Sequence, residues 1–193
     1  MKNIKSGNGY MEDNLFTLKE IGVKSGQTLI LRRPTEDDAE KMIEYLNIVG
    51  GESDNLLFGE NEFNLSIEEE REYINNSNNK SNLMIIGIID NDIVCIGQIR
   101  KLTRKRIAHN SEIAISVKKD YWGIGIGSSI MEELIGFAKT NDIKIISLGV
   151  REKNNKAINL YKKYGFKEVG VHKNYFNING VFYDEILMDL YIE

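Results

Sequence analysis

Proline is almost missing: the 193-residue chain has one, Pro34. That excludes long proline-rich linkers, and the length suits one domain with a full core rather than two. Cysteine is equally scarce. The single Cys95 cannot make an internal disulfide, and its place in the run Ile93, Val94, Cys95, Ile96 reads as a buried structural thiol, not a nucleophile. Two histidines, His109 and His172, fall short of a metal cluster, so no metal is expected. Positive charge is not in excess. Lys and Arg number 25 against 29 Asp and Glu, a formal net charge of -4, which argues against a general nucleic-acid or anionic-membrane binder. No apolar run approaches membrane-spanning length. Residues 1–8 are polar and do not read as an export signal, so a cytoplasmic location is the expectation. What is left, 41% hydrophobic and 28% charged, is the composition of a globular domain.

The stretch that stands out is 116–128, with Trp122, Gly123, Ile124, Gly125, Ile126, Gly127 and Ser128 at its end. An apolar run over 113–117 reads as a strand before it. Ile130, Met131, Leu134, Ile135 and Ala138 recur at helical spacing after it. A glycine-rich turn between a strand and a helix aims unpaired N–H groups at one point, and the helix dipole adds partial positive charge there. A phosphate or pyrophosphate is the natural guest. A Walker loop is disfavoured because Gly127 is followed by Ser128 and Ser129 without a lysine. A dinucleotide fingerprint is disfavoured because the glycines alternate and more than half the chain precedes them. Two readings stay level on this stretch alone: a coenzyme A pyrophosphate loop, and a strand–helix turn with no ligand.

In chain order, residues 1–14 are polar and expected to be a flexible extension, and 15–193 a single domain. Residues 15–21 and 28–33 suggest a hairpin. Pro34 ends it, Thr35 caps a helix with Ala39, Met42, Ile43, Leu46 and Val49 on one face, and Gly50-Gly51 is expected to stop that helix. An acidic loop follows with Glu52, Asp54, Glu60, Glu62, Phe58 and Phe63. Ser66 and Glu69 form a capping box for a second helix to about residue 76. Residues 83–89 and 93–102 flank Asp90-Asn91-Asp92 as a hairpin, and the basic cluster at 101–106 reads as a solvated strand end. Strands at 112–117 and 144–150, joined by the helix over 128–140, predict a parallel pair in a right-handed βαβ unit. Asn154 to Tyr164 is a helix closed by Gly165, and strands at 166–171 and 181–191 flank an Asn-Gly turn. The predicted class is α/β with a mixed sheet.

Two segments together resemble the GNAT N-acetyltransferase superfamily. Gly125-Ile126-Gly127 fills the second half of its motif A, with Trp122 where glutamine or arginine is usual. Residues 148–166 fill the other signature: Val150, Asn154, Ala157-Ile158, Leu160-Tyr161, then Gly165-Phe166. The resemblance covers 28–192. It implies a central mixed sheet that splays open, flanked by helices, with acetyl-CoA as co-substrate in the gap between the two parallel strands. It implies that the strand edge Ile115, Ser116 and Val117 pairs with the pantetheine arm, that the loop from Trp122 to Ser128 cradles the pyrophosphate, and that Asn154 contacts the arm. It also implies Tyr161 as the acid for the leaving thiolate, although a core aromatic is the competing reading. Some relatives carry a glutamate where this chain has Gly149; Glu112 is the next candidate base, level with an exposed strand-end carboxylate.

The activity so implied is acetyl transfer to a primary amine by direct attack in a ternary complex. The alternative is a non-catalytic acyl-CoA-binding or sensor domain on the same fold. The acceptor is a small molecule or peptide amine. The acidic loop suggests a cationic one, since carboxylates with aromatics attract and pack a charged chain. A homodimer is left open.

Overall fold

The computed structural model describes residues 17–192, so the expected extension at 1–14 and the start of the first strand lie outside the described residues. Eight strands and four α-helices follow: β1 (Thr17–Gly22), β2 (Thr28–Arg32), α1 (Ala39–Glu52), α2 (Ile67–Asn76), β3 (Asn82–Ile89), β4 (Asp92–Lys101), β5 (Asn110–Val117), α3 (Ile126–Thr140), β6 (Ile145–Arg151), α4 (Asn155–Lys163), β7 (Lys167–Ile178) and β8 (Val181–Tyr191). They form one sheet in the order β1-β2-β3-β4-β5-β6-β8-β7. Every neighbouring pair is antiparallel except β5 with β6.

Two apolar layers cover the sheet. Ile85, Val94, Ile130, Met131, Leu134 and Met188 pack on the α3 and α4 side. Met42, Tyr45, Val49, Ile74, Met84 and Ile86 pack on the α1 and α2 side. Met84 and Ile85 thus point to opposite layers, and β3 and β4 read as continuous apolar runs because both their faces are buried. Cys95 is fully buried, and burial pushes its thiol well up, as expected of a structural thiol. The hairpin turns follow from residue type: Asp90 and Asn91 have φ of 49° and 67°, and Asn179 and Gly180 have φ of 51° and 81°. Two residues in that region match the twist of flanking antiparallel strands.

The entry to α1 is fixed by an ion pair. Arg32 donates through both guanidinium nitrogens to Asp38, at 2.7 Å each, and Asp38 also accepts from the Thr35 N–H at 2.7 Å. Burial alone would raise the Asp38 carboxyl; Arg32 and the Thr35 N–H outweigh it and hold the group below its ordinary value. That contribution is present above the ordinary carboxylate range and is lost as the pH falls through the lowered value.

One expectation fails here. Gly50 and Gly51 do not end α1, which continues to Glu52. They are the surface on which the next loop lies: a Cβ on Gly50 would collide with the carbonyl of Gly59, and one on Gly51 would stand 3.0 Å from the Glu60 side chain. The pair marks close approach, which sequence alone does not separate from termination. In an ordinary helix, Gly→Ala gains about 1 kcal/mol. At Gly50 the collision is with backbone and cannot be relieved by a rotamer change. Gly50→Ala should therefore lower stability by roughly 1–3 kcal/mol. Gly136→Ala, at an exposed α3 site where a Cβ meets nothing within 4 Å, should raise it by roughly 0.5–1 kcal/mol. Urea unfolding of the two variants gives the comparison, and equal signs would contradict this account.

Candidate active site

Toward β4, β5 is paired along its length, from Lys101↔Ser111 to Cys95↔Val117. Toward β6 it is paired at three positions only: Asn110↔Ile145, Ser111↔Ile146 and Glu112↔Ser147. Past these the parallel strands part, and the β5 edge over 113–117 keeps N–H and C=O groups without a ladder partner. The gap opens into a cleft of about 1200 Å³. The predicted splay is therefore present.

Tyr45 pins this edge from the α1 layer. Its phenol donates to the Ser116 hydroxyl at 3.0 Å. Tyr45 is 1% exposed, and burial pushes its phenol well up, so it remains a donor. At the end of the edge the Trp122 Nε1 donates to the Val117 carbonyl at 2.7 Å. Trp122 thus ties the glycine loop back to β5, and the Lys156 ammonium lies 4.9 Å above its ring.

Gly125 opens α3 with φ 108°, a conformation that strains any residue with a Cβ. The first helical bond runs from Ser129 N–H to Gly125 carbonyl at 3.1 Å. The N–H groups of Ile126, Gly127 and Ser128 precede it and have no acceptor among the described residues. No side chain caps α3, whereas Ser66 caps α2 and Asn154 caps α4. Nothing lies within 4 Å of where a Gly125 Cβ would stand. Open space, uncapped amides and the cation of Lys156 make a fitting seat for a phosphate.

On the far side of the gap stands α4. Asn154 accepts from Ala157 N–H at 3.2 Å through Oδ1, so the cap role is real, and the residue also lines the cleft. Tyr161 belongs to both readings. Its ring packs in the core, 5.8 Å from Phe166, and the residue also lines the cleft. Its hydroxyl has no hydrogen-bond partner among the described residues, and burial pushes it up to about 12, so it is protonated at neutral pH. Tyr164, one turn on, ties α4 to α3 by donating to the Ser128 carbonyl at 3.0 Å.

Glu112, Ile115, Ser116, Val117, Trp122, Gly123, Gly125, Gly127, Ser128, Asn154 and Tyr161 all line this one cleft. Ile124 and Ile126 do not: their side chains pack into the core, so only their backbone is available to a ligand. Glu112 is 56% exposed, and its carboxylate lies 3.4 Å from Arg100. The loop after α1 borders the cleft through Ser53, Asn55, Leu56 and Leu57, not through the acidic and aromatic side chains expected there. Of its acids only Glu52 lines the cleft, and that carboxylate accepts from the Lys119 N–H at 2.7 Å. Glu62 bonds the Gly59 N–H of its own loop at 2.9 Å, and Phe58 and Phe63 pack on each other at 5.9 Å. The loop closes on α1 because Gly50 and Gly51 admit it.

Sequence reasoning missed Tyr45, Lys156, His172 and Glu185. Lys156 lies inside the second motif and was legible as a cation two residues past Asn154. His172 and Glu185 reach the cleft only through strand register, and Tyr45, which does not line it, acts on it through Ser116.

Residues 53–166 match the sequence model of the acetyltransferase (GNAT) family. The chain belongs to that family. Among its GNAT relatives, the Escherichia coli ribosomal protein bS18-alanine N-acetyltransferase is 35% identical over 76 residues, 39% of this chain and 51% of that protein. The L-amino acid N-acetyltransferase AaaT of the same organism is 33% identical over 106 residues, 54% of this chain and 65% of that protein. The matched stretch thus spans less than two thirds of either. A GNAT acetyltransferase structure from Streptococcus pneumoniae superposes with TM-score 0.82 at 29% identity, covering 85% of this chain and 99% of that one.

Gly125→Val tests the seat. Its left-handed φ costs the variant roughly 1–3 kcal/mol, while the space around the site is open, so a folded protein is expected. Calorimetry should show CoA binding lost. Undiminished affinity in the folded variant would remove the loop from the binding site.

Proposed function

We propose that this protein is an N-acetyltransferase that moves the acetyl group of acetyl-CoA directly onto a primary amine bound beside it. The observation that carries the proposal is the early parting of β5 and β6, with an unpaired strand edge on one side, an uncapped helix N-terminus at its end and a protonated phenol across the gap. Acetyl-CoA supplies the acyl thioester. Ile126, Gly127 and Ser128 N–H groups hold its pyrophosphate, with Lys156 adding charge. The β5 edge pairs with the amides of its pantetheine arm as an added strand, and Asn154 contacts that arm. Tyr161 gives its proton to the departing sulfur. Glu112 adds negative charge at the rim, where an ammonium approaches.

A sensor domain of the same fold is the second reading. Tyr161 disfavours it, since binding alone does not require an unpartnered phenol in the cleft. For the acceptor, the activities of the relatives point to an α-amino group, of a free amino acid or of a peptide beginning with alanine. A polycationic acceptor loses its support, because Glu60, Glu62, Phe58 and Phe63 stand outside the cleft.

The deciding experiment offers acetyl-CoA with an amine panel: free L-amino acids, alanine-initiated peptides and a polyamine, read by mass spectrometry. Acetylation of an α-amine is the expected result. CoA binding without any transfer would favour the sensor. Tyr161→Phe keeps the ring and removes the proton, so kcat should fall roughly 10²-fold while acetyl-CoA affinity is unchanged. Turnover at the wild-type rate would leave Tyr161 a packing residue.

A further inference from the structure

β8 carries a buried carboxylate that none of the roles above uses. The Glu185 side chain is 9% exposed. Its Oε2 accepts from the His172 Nδ1 at 2.9 Å, and the two residues are direct cross-strand partners on β7 and β8. Its Oε1 has no donor among the described residues. A buried carboxylate needs more than one donor to offset its lost hydration. Oε1 is not sealed in but keeps access to the cleft, and it lies against Gly149, where a Cβ would collide with it. Gly149 lies two residues past Ser147, the last β6 residue paired to β5. The free oxygen therefore stands where the sheet opens, in the same cleft as Tyr161.

The position of His172 is built, not incidental. Between His172 and Phe176 the β7–β8 register slips, with Asn174 at φ 56° and its N–H held by Asp184 at 3.0 Å. In a regular strand, residues three apart face opposite sides. The bulge brings Tyr175 back over His172, with ring centroids 5.5 Å apart and planes at 27°. The imidazole is thereby stacked in place with one nitrogen on Glu185.

We propose that Glu185 is the proton acceptor for the amine, with His172 and Tyr175 as positioning residues; the proposal rests on the acetyltransferase reading. The ammonium of the acceptor is the donor that Oε1 lacks. It gives one proton to Glu185, and the freed nitrogen pair forms the N–C bond as the C–S bond breaks. The sulfur takes the Tyr161 proton, and the second proton of the nitrogen is lost to solvent, which also restores both side chains. Glu112 is less suited: it is mostly exposed and turned to Arg100. Charged and titratable groups around Glu185 are His172 and Tyr175 on β7, Arg151 opposite it on β6, Tyr161 on α4, and Tyr183 and Asp189 on its own strand.

The test measures kcat/KM for the fastest α-amine of the panel from about pH 6.5 to about pH 9, across the ordinary α-amine value of about 8. Glu185→Gln should lose roughly 10²-fold at the low end. The deficit should narrow as the pH rises, because solvent then removes the proton that Glu185 would have taken. CoA affinity by calorimetry should not change. Gly149→Ala, which displaces Oε1, should lower activity in the wild type and add little on top of Glu185→Gln. A Glu185→Gln variant at the wild-type rate, or one with the same deficit at every pH, overturns the proposal while leaving the acetyltransferase reading intact. A wild type that binds acetyl-CoA and acetylates no amine overturns both.

Discussion

Three residue pairs decide how this chain works. Among the described residues β5 and β6 are the only parallel neighbours in the sheet, and they hold together only at Asn110, Ser111 and Glu112. Antiparallel partners bind each strand on its other side, along seven pairs in both cases. The sheet therefore survives the break, and the break becomes a slot between two strands that cannot drift. Unpaired backbone in a protein interior is costly. Here it faces a cleft, where a ligand or water can satisfy it. Ser116, held by the buried Tyr45, and Val117, held by Trp122, fix the β5 edge from behind and from its end.

The β5 edge and the glycine loop were readable in the sequence because backbone builds them. A strand, three glycines and a helix start are local patterns, and Gly125 with φ 108° is the conformation those glycines exist to permit. Asn154 and Tyr161 were singled out by the resemblance of residues 148–166 to the family signature, while cap position and helix periodicity alone gave a helix cap and a core aromatic. The hairpin turns at Asp90-Asn91 and Asn179-Gly180 followed from residue type alone.

What the sequence hid depends on contacts between distant segments. Gly50-Gly51 looks the same whether it ends a helix or receives a loop, and only the position of Gly59 and Glu60 tells the two apart. Having read it as an end, sequence reasoning left the acidic loop free to meet an acceptor. In the fold Glu52, Glu62 and Phe63 of that loop are spent on Lys119, on the loop itself and on α1, and what it turns to the cleft is Ser53, Asn55, Leu56 and Leu57. Glu185 and Gly149 are similarly far apart in the chain. They meet because Arg151 pairs with Glu185 and Gly149 with Leu187 along β6 and β8, so one side chain leans along its strand into the space its neighbour leaves.

This division has a chemical logic. Coenzyme A presents the same phosphates and amides to every enzyme that binds it, and backbone N–H and C=O groups recognise those with little help from side chains. An amine acceptor differs from enzyme to enzyme, so its site is made of side chains from strands that meet only in three dimensions. In the proposed reaction Tyr161 and Glu185 stand on these two sides. One is a phenol that burial keeps protonated. The other is a carboxylate that keeps one oxygen on His172 and one unbonded. A donor and an acceptor in one cleft, held by different elements, can serve opposite ends of a reaction in which one atom gains a proton and another loses it. Their separation across α4 and β8 also keeps them from bonding to each other, which would cancel both functions.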